Sequence, residues 1–593
     1  MPFANRTPAL TRSLVSLAIV ALALCAVPLF ALPAFYESFL YLVFHWIVLA
    51  TSWNIMSGYS GYISFGHGAF FGAGVYTTAT LATRFSIPFL WTLPAAAIMA
   101  ALLGVVLGAI AFRVHRVRGE LFALLTLAAT FVLAPIVVNT PLDGGPGVYL
   151  SAVPVPAMAG RTSATFYWLA LVAAFVTLAT AYLIARAKFG LGLFAIHDDE
   201  DAAEVMGVPT YRLKLAAFAL SCALAGVAGG IHALYVSYVT AGETFSITVP
   251  LTVVLMAVLG GVRHWLGPAV GATVITGLLY AFTAGDYAVA GKAVIGVVLI
   301  AVILFLPQGV LGAWPMRRRV EGARRTTRRG SSDSHRAESP SPPPAHKDAI
   351  GDVLLEVQAV TKSFSGVRAL DGVDLTVRKG EVLGLVGPNG SGKSTLINLI
   401  SGHYRADAGR IRFRQCTVNR WPAHRIARAG IARTYQIPRP FAHLPVLDNV
   451  ALTAMFGRPH LDHEAAEAEA RRWLEFTGLE GKADALPDAL NLHQRKFLEL
   501  ARALASQPEL VLLDEVLSGL TPAEIDGAVE ILRSIRDRGA TIVFVEHVMR
   551  AVMAVTDRIV VLDYGRVIAE GAPAEVMGRP EVVTAYLGTR LDA

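Results

Sequence analysis

The chain has 593 residues, 54% hydrophobic and 16% charged, with a formal net charge of +7. That length exceeds one domain. Nine Lys/Arg and four Asp/Glu fall within residues 317–350, so most of the positive surplus lies in one segment and is not the footprint of a nucleic-acid-binding surface. Cys25, Cys222 and Cys416 are scattered singly, which argues against a disulfide framework or a cysteine metal cluster.

Up to about residue 315 the chain consists of repeated apolar runs, each near the roughly 20 residues that a helix needs to cross a membrane. The first run lacks a convincing cleavage site, so we interpret it as a transmembrane helix and not as a signal peptide. The eighth is short, and a broken or re-entrant helix is possible there. The ten predicted spans are 14–32, 39–56, 65–83, 89–112, 121–139, 166–185, 215–238, 249–262, 266–282 and 293–311.

Basic residues fall at alternate ends of these spans, which sets the predicted orientation. The groups are Arg6/Arg12, residues 113–118, Arg186/Lys188 with Arg212/Lys214, Arg263, and the residues after Arg317. The positive-inside rule places all of them on the cytoplasmic side. Ten crossings then leave both ends of the membrane half in the cytoplasm.

Few polar groups lie within the predicted spans. No span centre carries Asp, Glu, Lys or Arg, which argues against a proton-coupled carrier. Glycine is dense in 58–74 and 223–230, where it favours either close helix packing or a substrate path. His45, Asn54 and His67 are the polar side chains of interest. For each, we favour a hydrogen bond to a neighbouring helix over contact with substrate.

The loop 189–214 is predicted to be cytoplasmic and has an acidic centre, DDEDAAEVMGV. Acidic residues suit a helix N-terminus, so we expect a short interfacial helix, with a solvated loop as the alternative. The segment 317–350 is rich in Arg, Ser and Pro and has too few large apolar residues to fold. It is the predicted linker between domains 1–316 and 351–593, and its arginines could touch anionic lipid.

The motif GPNGSGKST at 387–395 follows an apolar run and precedes LINLI, which predicts a strand, a glycine-rich turn and a helix. It matches G-x-x-x-x-G-K-[ST], a loop whose backbone N–H groups surround phosphate oxygens. Lys393 would reach the β- and γ-phosphates, and the Ser394 hydroxyl would bind Mg²⁺. The predicted nucleotide-binding residues of the loop are Gly387, Pro388, Asn389, Gly390, Ser391, Gly392, Lys393, Ser394 and Thr395.

Two further apolar strands end in polar residues. ELVLLDE at 509–515 ends in Asp514, which would hold Mg²⁺ through water, and Glu515, which would orient or deprotonate the attacking water. TIVFVEH at 541–547 ends in His547, which could contact the γ-phosphate. Phosphate loop and strands in this order point to an ATP-hydrolysing α/β P-loop domain.

Residues 351–593 resemble ATP-binding-cassette (ABC) ATPases throughout. The resemblance implies that Phe364 stacks on adenine, that Gln436 bridges Mg²⁺ and the membrane partner, and that His547 is the switch histidine. The family signature LSGGQ reads Leu490-Asn491-Leu492-His493-Gln494 here. Asn491 can still cap the helix, but His493 replaces a glycine, and Thr521 stands where an acidic residue is expected. The composite site served by this signature is expected to hydrolyse slowly.

The membrane half is similar to permeases of branched-chain amino-acid importers. NIMSGYSGYISFGHGAFFGAGVYT (54–77), GELFALLTLA (119–128), DGGPGV (143–148) and VLGGVRHWLGPAVGA (258–272) carry the likeness, and GAPAEVMGRPEVVTAYLG (571–588) carries it in the ATPase half. The resemblance implies a polytopic α-helical membrane domain fused to an ABC ATPase in the inner membrane, with the ATPase in the cytoplasm. It further implies that 189–208 forms the coupling helix and docks near Gln436.

The implied machine is an ATP-driven importer of branched-chain or related amino acids. Its implied partners are a second permease and ATPase, or a second copy of the chain, and an extracytoplasmic substrate-binding protein. Asn491, Leu492, His493 and Gln494 would act on the nucleotide of the other ATPase. The alternatives left open are import of urea, amides or another small solute, an exporter, and a membrane-tethered ATPase that transports nothing.

Overall fold

The computed structural model describes residues 6–30, 33–114, 119–283, 351–537 and 539–587, with a few isolated residues between 296 and 311. The described residues form two compact units. The first unit is helical and includes the described residues of 6–197 and those from Tyr211 onward. The second includes Asp198–Thr210 and the described residues of the ATPase half. The predicted linker 317–350 and most of the predicted span 293–311 lie outside the described residues.

The helical unit has a helix at the position of each predicted span up to residue 283. Its helices are α1 (Arg6–Cys25), α2 (Ala34–Trp53), α3 (His67–Arg84), α4 (Phe89–Ala111), α5 (Glu120–Val138), α6 (Thr162–Arg186), α7 (Lys188–Asp198), α9 (Thr210–Val236), α10 (Ala241–Thr244), α11 (Thr248–Gly260) and α12 (Gly267–Thr283). Strands β1 (Val148–Tyr149) and β2 (Tyr238–Val239) pair antiparallel. Among the described residues, six helices are long and apolar enough to cross a membrane. The short eighth span is α11, preceded by the single turn of α10.

Helix α4 shows how the membrane half is packed. Ala96, Ala100, Gly104 and Gly108 recur every four residues and are buried. The large side chains Ile98, Leu102, Val106 and Ile110 between them are exposed. This distribution suits a lipid environment, because small residues let helix backbones approach while large apolar ones meet the acyl chains.

The polar side chains singled out within the spans have different surroundings. His67 Nε2 lies 3.3 Å from Ser52 Oγ on α2, so this residue bonds to a neighbouring helix as predicted. Asn54 opens a π-helical turn, Asn54–Gly58, and its side-chain amide has no hydrogen-bond partner among the described residues. His45 packs against the ring of His232 with centroids 4.6 Å apart.

The second unit contains two sheets. The strands are β3 (Val353–Phe364), β4 (Val367–Arg378), β5 (Val382–Val386), β6 (Ala408–Phe413), β7 (Cys416–Thr417), β8 (Ile431–Arg433), β9 (Leu510–Asp514), β10 (Thr541–Val545), β11 (Arg558–Asp563) and β12 (Arg566–Gly571). The larger sheet has the order β12-β11-β5-β10-β9-β8, and the smaller has the order β4-β3-β6-β7. Strands β5, β9 and β10 are buried along their whole lengths and mutually parallel where they pair.

The helices of this unit are α8 (Glu200–Val205), α13 (Lys393–Ile400), α14 (Ala423–Ala429), α15 (Val446–Phe456), α16 (His463–Phe476), α17 (Leu492–Ala505), α18 (Pro522–Asp537), α19 (Met549–Val555), α20 (Pro573–Met577) and α21 (Pro580–Leu587). The apolar strands predicted at 509–515 and 541–547 are therefore β9 and β10. Because parallel strands present their carboxyl ends at one edge of a sheet, the polar residues that follow β5, β9 and β10 come together there.

The glycine-rich segments of the membrane half hold helices in close contact. A Cβ atom on Gly74 of α3 would lie 2.1 Å from the carbonyl oxygen of Gly226 on α9. No side chain larger than hydrogen fits at that distance. At this crossing of α3 and α9, the prediction that the glycines allow close helix packing is confirmed.

We expect Gly74→Ala to lower the thermal midpoint of the purified full-length protein, because the added methyl group forces α3 and α9 apart. Overpacking of this kind costs about 1–3 kcal/mol. Gly277→Ala in α12 is the matched control, since nothing among the described residues lies within 4 Å of the added Cβ. Thermal unfolding followed by size-exclusion fluorescence compares the two, and equal midpoints would contradict the close-packing interpretation.

Candidate nucleotide site and its docking segment

The phosphate loop lies between β5 and α13, as the sequence predicts. Gly392 precedes α13 with φ of 105°, a left-handed conformation that glycine adopts without strain. Lys393 turns back over the loop, and its Nζ donates to the carbonyl oxygens of Gly387 and Pro388 at 2.8 Å each. Burial lowers the pKa of Lys393, while the Glu515 and Asp514 carboxylates act in the opposite direction. A cationic group is thus held inside the loop predicted to surround the phosphates.

Asp514 ends β9 and is buried. Its backbone N–H donates to Thr434 Oγ1 at 3.2 Å, and its Oδ2 lies 3.8 Å from Arg433 Nη2. Burial raises the pKa of Asp514, and the Arg433 guanidinium opposes that rise. Its Oδ1 has no hydrogen-bond partner among the described residues. A buried, unpartnered carboxylate oxygen beside the phosphate loop fits the predicted Mg²⁺ ligand.

Glu515 follows directly and adopts φ of 49°, a strained conformation for a residue with a side chain. Gln436 Nε2 donates to its Oε2 at 2.6 Å, and His547 Nε2 lies 2.7 Å from its Oε1. Its backbone N–H donates to the Val545 carbonyl oxygen of β10 at 2.9 Å. The structure therefore brings three predicted site residues from distant parts of the chain into direct contact.

Phe364, the predicted adenine-stacking residue, ends β3. Its ring meets that of Tyr404 edge-on with centroids 5.1 Å apart, and Lys362 Nζ lies 5.3 Å from the ring centre. The ring is 37% exposed. It is thus accessible for stacking, and Tyr404 is an aromatic neighbour that the sequence did not identify.

The altered signature begins α17 in the predicted way. Asn491 Oδ1 accepts from the Gln494 backbone N–H at 2.8 Å, and Gln494 Oε1 accepts from the Asn491 N–H at 3.1 Å. These bonds form a capping box, so the predicted cap is confirmed. Leu492, the next residue, is 51% exposed. The side-chain N–H₂ groups of Asn491 and Gln494 and the start of the helix therefore remain available to a partner.

His493 makes contacts that the family glycine could not. Its ring is 4.4 Å from that of Phe497, and its Nδ1 lies 3.7 Å from Glu524 Oε1. Glu524 Oε2 in turn accepts hydrogen bonds from the Thr521 N–H and hydroxyl at 2.8 Å each. The loop that lacks the expected acid at Thr521 thus has a carboxylate supplied from three residues later.

Three charged residues that the sequence analysis missed support these elements. Arg433 Nη1 donates to Asn398 Oδ1 at 2.6 Å and to Ser401 Oγ at 3.1 Å, which ties β8 to α13. Lys496 Nζ donates to the Glu515 carbonyl oxygen at 3.1 Å, which ties α17 to the residue after β9. Glu546 Oε1 accepts from the Leu517 N–H at 2.6 Å.

Burial shifts the pKa of two of these supports toward their neutral forms. It lowers the pKa of Lys496, with Glu546 and Glu515 opposing. It raises the pKa of Glu546, although backbone N–H groups bonded to the carboxylate oppose the rise. The signal that could have found Glu546 is its position as a charged residue directly after a fully apolar strand.

The acidic loop folds as predicted into a short helix at its centre. Asp199 caps α8, its Oδ1 accepting from the Ala202 N–H at 2.9 Å. The solvated-loop alternative is wrong, because Ala202, Ala203 and Val205 are buried. The predicted docking segment 189–208 needs a correction: 189–197 belongs to the helical unit, and the part grouped with the ATPase begins at Asp198.

Acidic residues of this segment meet basic residues of the ATPase half. His443 donates its backbone N–H to Asp198 Oδ2 at 2.9 Å, and its Nδ1 lies 2.6 Å from Oδ1. Arg439 Nη1 lies 3.3 Å from Asp199 Oδ2. Further along, His424 Nδ1 lies 3.3 Å from Glu204 Oε1. The hydroxyl of Tyr435, the residue before Gln436, donates to the Asp201 carbonyl oxygen at 3.5 Å, so the predicted docking near Gln436 is confirmed.

Family models match both halves. The model described as branched-chain amino acid transport system / permease component matches residues 35–303. The ABC transporter model matches 370–518. A third model, described as branched-chain amino acid ATP-binding cassette transporter, matches 566–592. The matches follow the order permease, then ATPase, that the sequence predicts.

Curated relatives align with the ATPase half. It is 36% identical over 247 residues to a probable branched-chain amino acid transport ATP-binding protein LivG of Archaeoglobus fulgidus, an alignment covering 40% of this chain and 96% of that protein. It is 34% identical over 249 residues to the high-affinity branched-chain amino acid transport ATP-binding proteins BraF of Pseudomonas aeruginosa and LivG of Escherichia coli K12, covering 40% of this chain and 98% of each.

The nucleotide-binding domain and the permease domain are therefore two parts of one transport machine. The chain belongs to the branched-chain amino acid ABC transporter family, and it joins in one polypeptide a permease domain and an ATPase domain whose ATP hydrolysis is coupled to transport.

Proposed function

We propose that this protein is the fused permease and ATPase subunit of an importer for branched-chain or related amino acids in the inner membrane. The observation that carries the proposal is the acidic segment Asp198–Thr210, which arises within the permease half and contacts the ATPase half beside Gln436. A contact of this kind provides a physical route from nucleotide hydrolysis to helix movement.

Each residue of the candidate nucleotide site would have a separate role in ATP hydrolysis. Glu515 would orient or deprotonate the attacking water, and the bonds from Gln436 and His547 would hold its carboxylate in place. Lys393 and the backbone of 387–395 would bind the phosphates. Ser394, Gln436 and Asp514 would hold Mg²⁺, which when bound would neutralise charge on the β- and γ-phosphates. The unpartnered Oδ1 of Asp514 supports that assignment.

The complete machine would need a second permease and ATPase, or a second copy of this chain, together with an extracytoplasmic substrate-binding protein. Asn491, Leu492, His493 and Gln494 would then complete the nucleotide site of the other ATPase. ATP would bind the closed pair of ATPases more tightly than the open pair, and this difference in affinity would drive the change in which side the permease faces.

The direct test is uptake of labelled leucine by vesicles that contain the complete complex, with its binding protein outside and ATP inside. We expect accumulation that depends on ATP and is abolished by Glu515→Gln, while binding of ATP persists because the phosphate loop is untouched. Glu467→Gln on α16 is the control for loss of one carboxylate. ATP-dependent uptake of urea or amides alone would contradict the substrate class, and absence of all uptake would favour an exporter or a tethered ATPase.

The altered signature yields a second test. Asn491→Ala removes both the helix cap and an amide donor, and loss of a cap alone costs about 0.5–2 kcal/mol. Asp462→Ala is the matched control, because Asp462 caps α16 by accepting from the Ala465 N–H at 2.9 Å. We expect ATP turnover to fall several-fold more for Asn491→Ala than for Asp462→Ala. Equal turnover would mean that this signature serves no active site.

The docking contacts yield a third test. Arg439→Glu brings two carboxylates together at Asp199, and we expect uptake per ATP hydrolysed to fall about fivefold, which corresponds to roughly 1 kcal/mol. Adding Asp199→Asn should restore much of it, since the amide oxygen still caps α8 without the charge. Lys482→Glu at an exposed position is the control. An unchanged coupling ratio for Arg439→Glu would show that these charges do not transmit the movement.

A further inference from the structure

A cavity of about 140 Å³ lies within the helical unit. Its walls come from α2, α3 and α9, and from the segment that links β2, α10 and the start of α11. On α2 the lining residues are Leu42, His45, Trp46 and Leu49, which recur at helical spacing along one face. Four separate parts of the chain thus enclose one small space.

The inner wall carries a pair of histidines. His45 is only 5% exposed, and its ring stacks on that of His232 with centroids 4.6 Å apart and planes tilted by 23°. His232 Nδ1 bonds to the Tyr41 hydroxyl at 3.1 Å. Both imidazoles line the cavity. A ligand or water in the cavity can therefore meet their ring nitrogens.

The remaining lining has two chemical characters. Leu42, Leu49, Phe71 and Val75 form an apolar wall. Thr240, Glu243 and Thr244 also line the cavity and supply hydroxyls and one carboxylate. Glu243 is exposed, so its carboxylate stays hydrated until something enters. A ligand that fits this lining has an aliphatic portion and a cationic portion on one small framework.

The position of the cavity agrees with entry from outside. Helix α9 begins beside Arg212 and Lys214, a group predicted to be cytoplasmic, and ends at Val236. The residues of the cavity on α9 and after it, from His232 to Thr244, lie at the opposite end of that helix. By the predicted topology this end faces the compartment in which the binding protein would release its solute.

We propose that this cavity is a substrate-binding site for an α-amino acid with an apolar side chain, an inference that rests on the proposed function. The ammonium group would pair with Glu243, and the side chain would lie against Leu42, Leu49 and Phe71. The carboxylate would accept hydrogen bonds from the imidazole N–H groups of His45 and His232, each of which offers one donor when neutral.

The same lining selects against the other solutes considered for this family. Urea and simple amides have no cationic group to pair with Glu243, so they would lack the attraction that an ammonium group gains there. Sugars would place many hydroxyls against Leu42, Leu49 and Phe71 without partners. The cavity therefore distinguishes amino acids from amides, which no motif of the sequence does.

The experiment is a set of ligand titrations on the purified complex in nanodiscs without binding protein, followed by saturation-transfer NMR. Leucine, isovaleric acid and leucinamide are the probes, because the second lacks the ammonium group and the third lacks the carboxylate. We expect leucine to bind at least tenfold more tightly than either. Glu243→Gln should raise the Kd for leucine at least tenfold and leave that of isovaleric acid unchanged.

His45→Phe is the second variant, since it keeps the aromatic packing against His232 and removes only the ring nitrogens. It should raise the Kd for leucine and leave that of leucinamide less affected. Glu120→Gln, at an exposed glutamate of α5, is the control. If wild-type vesicles accumulate leucine while both variants bind it as wild type does, the cavity assignment is overturned and the proposed function stands. If wild-type vesicles accumulate no amino acid, the proposed function itself fails.

Discussion

The candidate nucleotide site lies at the carboxyl ends of three parallel strands. Because β5, β9 and β10 run in the same direction, the phosphate loop, Asp514–Glu515 and His547 emerge at one edge of the sheet. Glu515 occupies a left-handed conformation there, held by its backbone bond to Val545 and by side-chain bonds to Gln436 and His547. The strain at this residue is tolerated because three neighbouring segments determine its position, and those segments must therefore move together with it.

Only a short path separates that carboxylate from the docking segment. Gln436 bonds to Glu515. Tyr435, the residue before it, and Arg439, three residues after it, contact Asp201 and Asp199. Tyr435 is also held between Arg433 and Arg439, whose guanidinium groups lie 4.6 Å and 5.1 Å from its ring. A ligand that changes the partner of Gln436 therefore alters a stretch of backbone that already touches the permease loop. Coupling by population shift needs only two arrangements of this stretch, each favoured by a different nucleotide state.

The sequence predicted the features that depend on neighbouring residues, but not the contacts between residues far apart in the chain. Apolar strands ending in Asp514 and His547, the helix cap by Asn491 and the helix start at Asp199 are set within a few residues, so local pattern sufficed. The pairs Asp198–His443 and His45–His232 join residues far apart in the chain, and no periodicity or composition relates them. The sequence did not identify Arg433 and Lys496, because a charged side chain is ordinarily solvated and only the folded structure shows these two buried. The sequence did not show where the docked segment starts, because α7 continues the apolar helix pattern to Asp198.

The contacts that join the acidic segment to the ATPase half are individually weak. Arg439 and His443 are about half exposed, and an exposed ion pair contributes at most about 1 kcal/mol. In a complex of separate chains such contacts would need support from other surfaces. The buried face of α8 supplies such a surface, since Ala202, Ala203 and Val205 are buried. Three weak polar pairs and this face hold the segment without locking it in place, so it can still shift with each cycle of nucleotide binding and release.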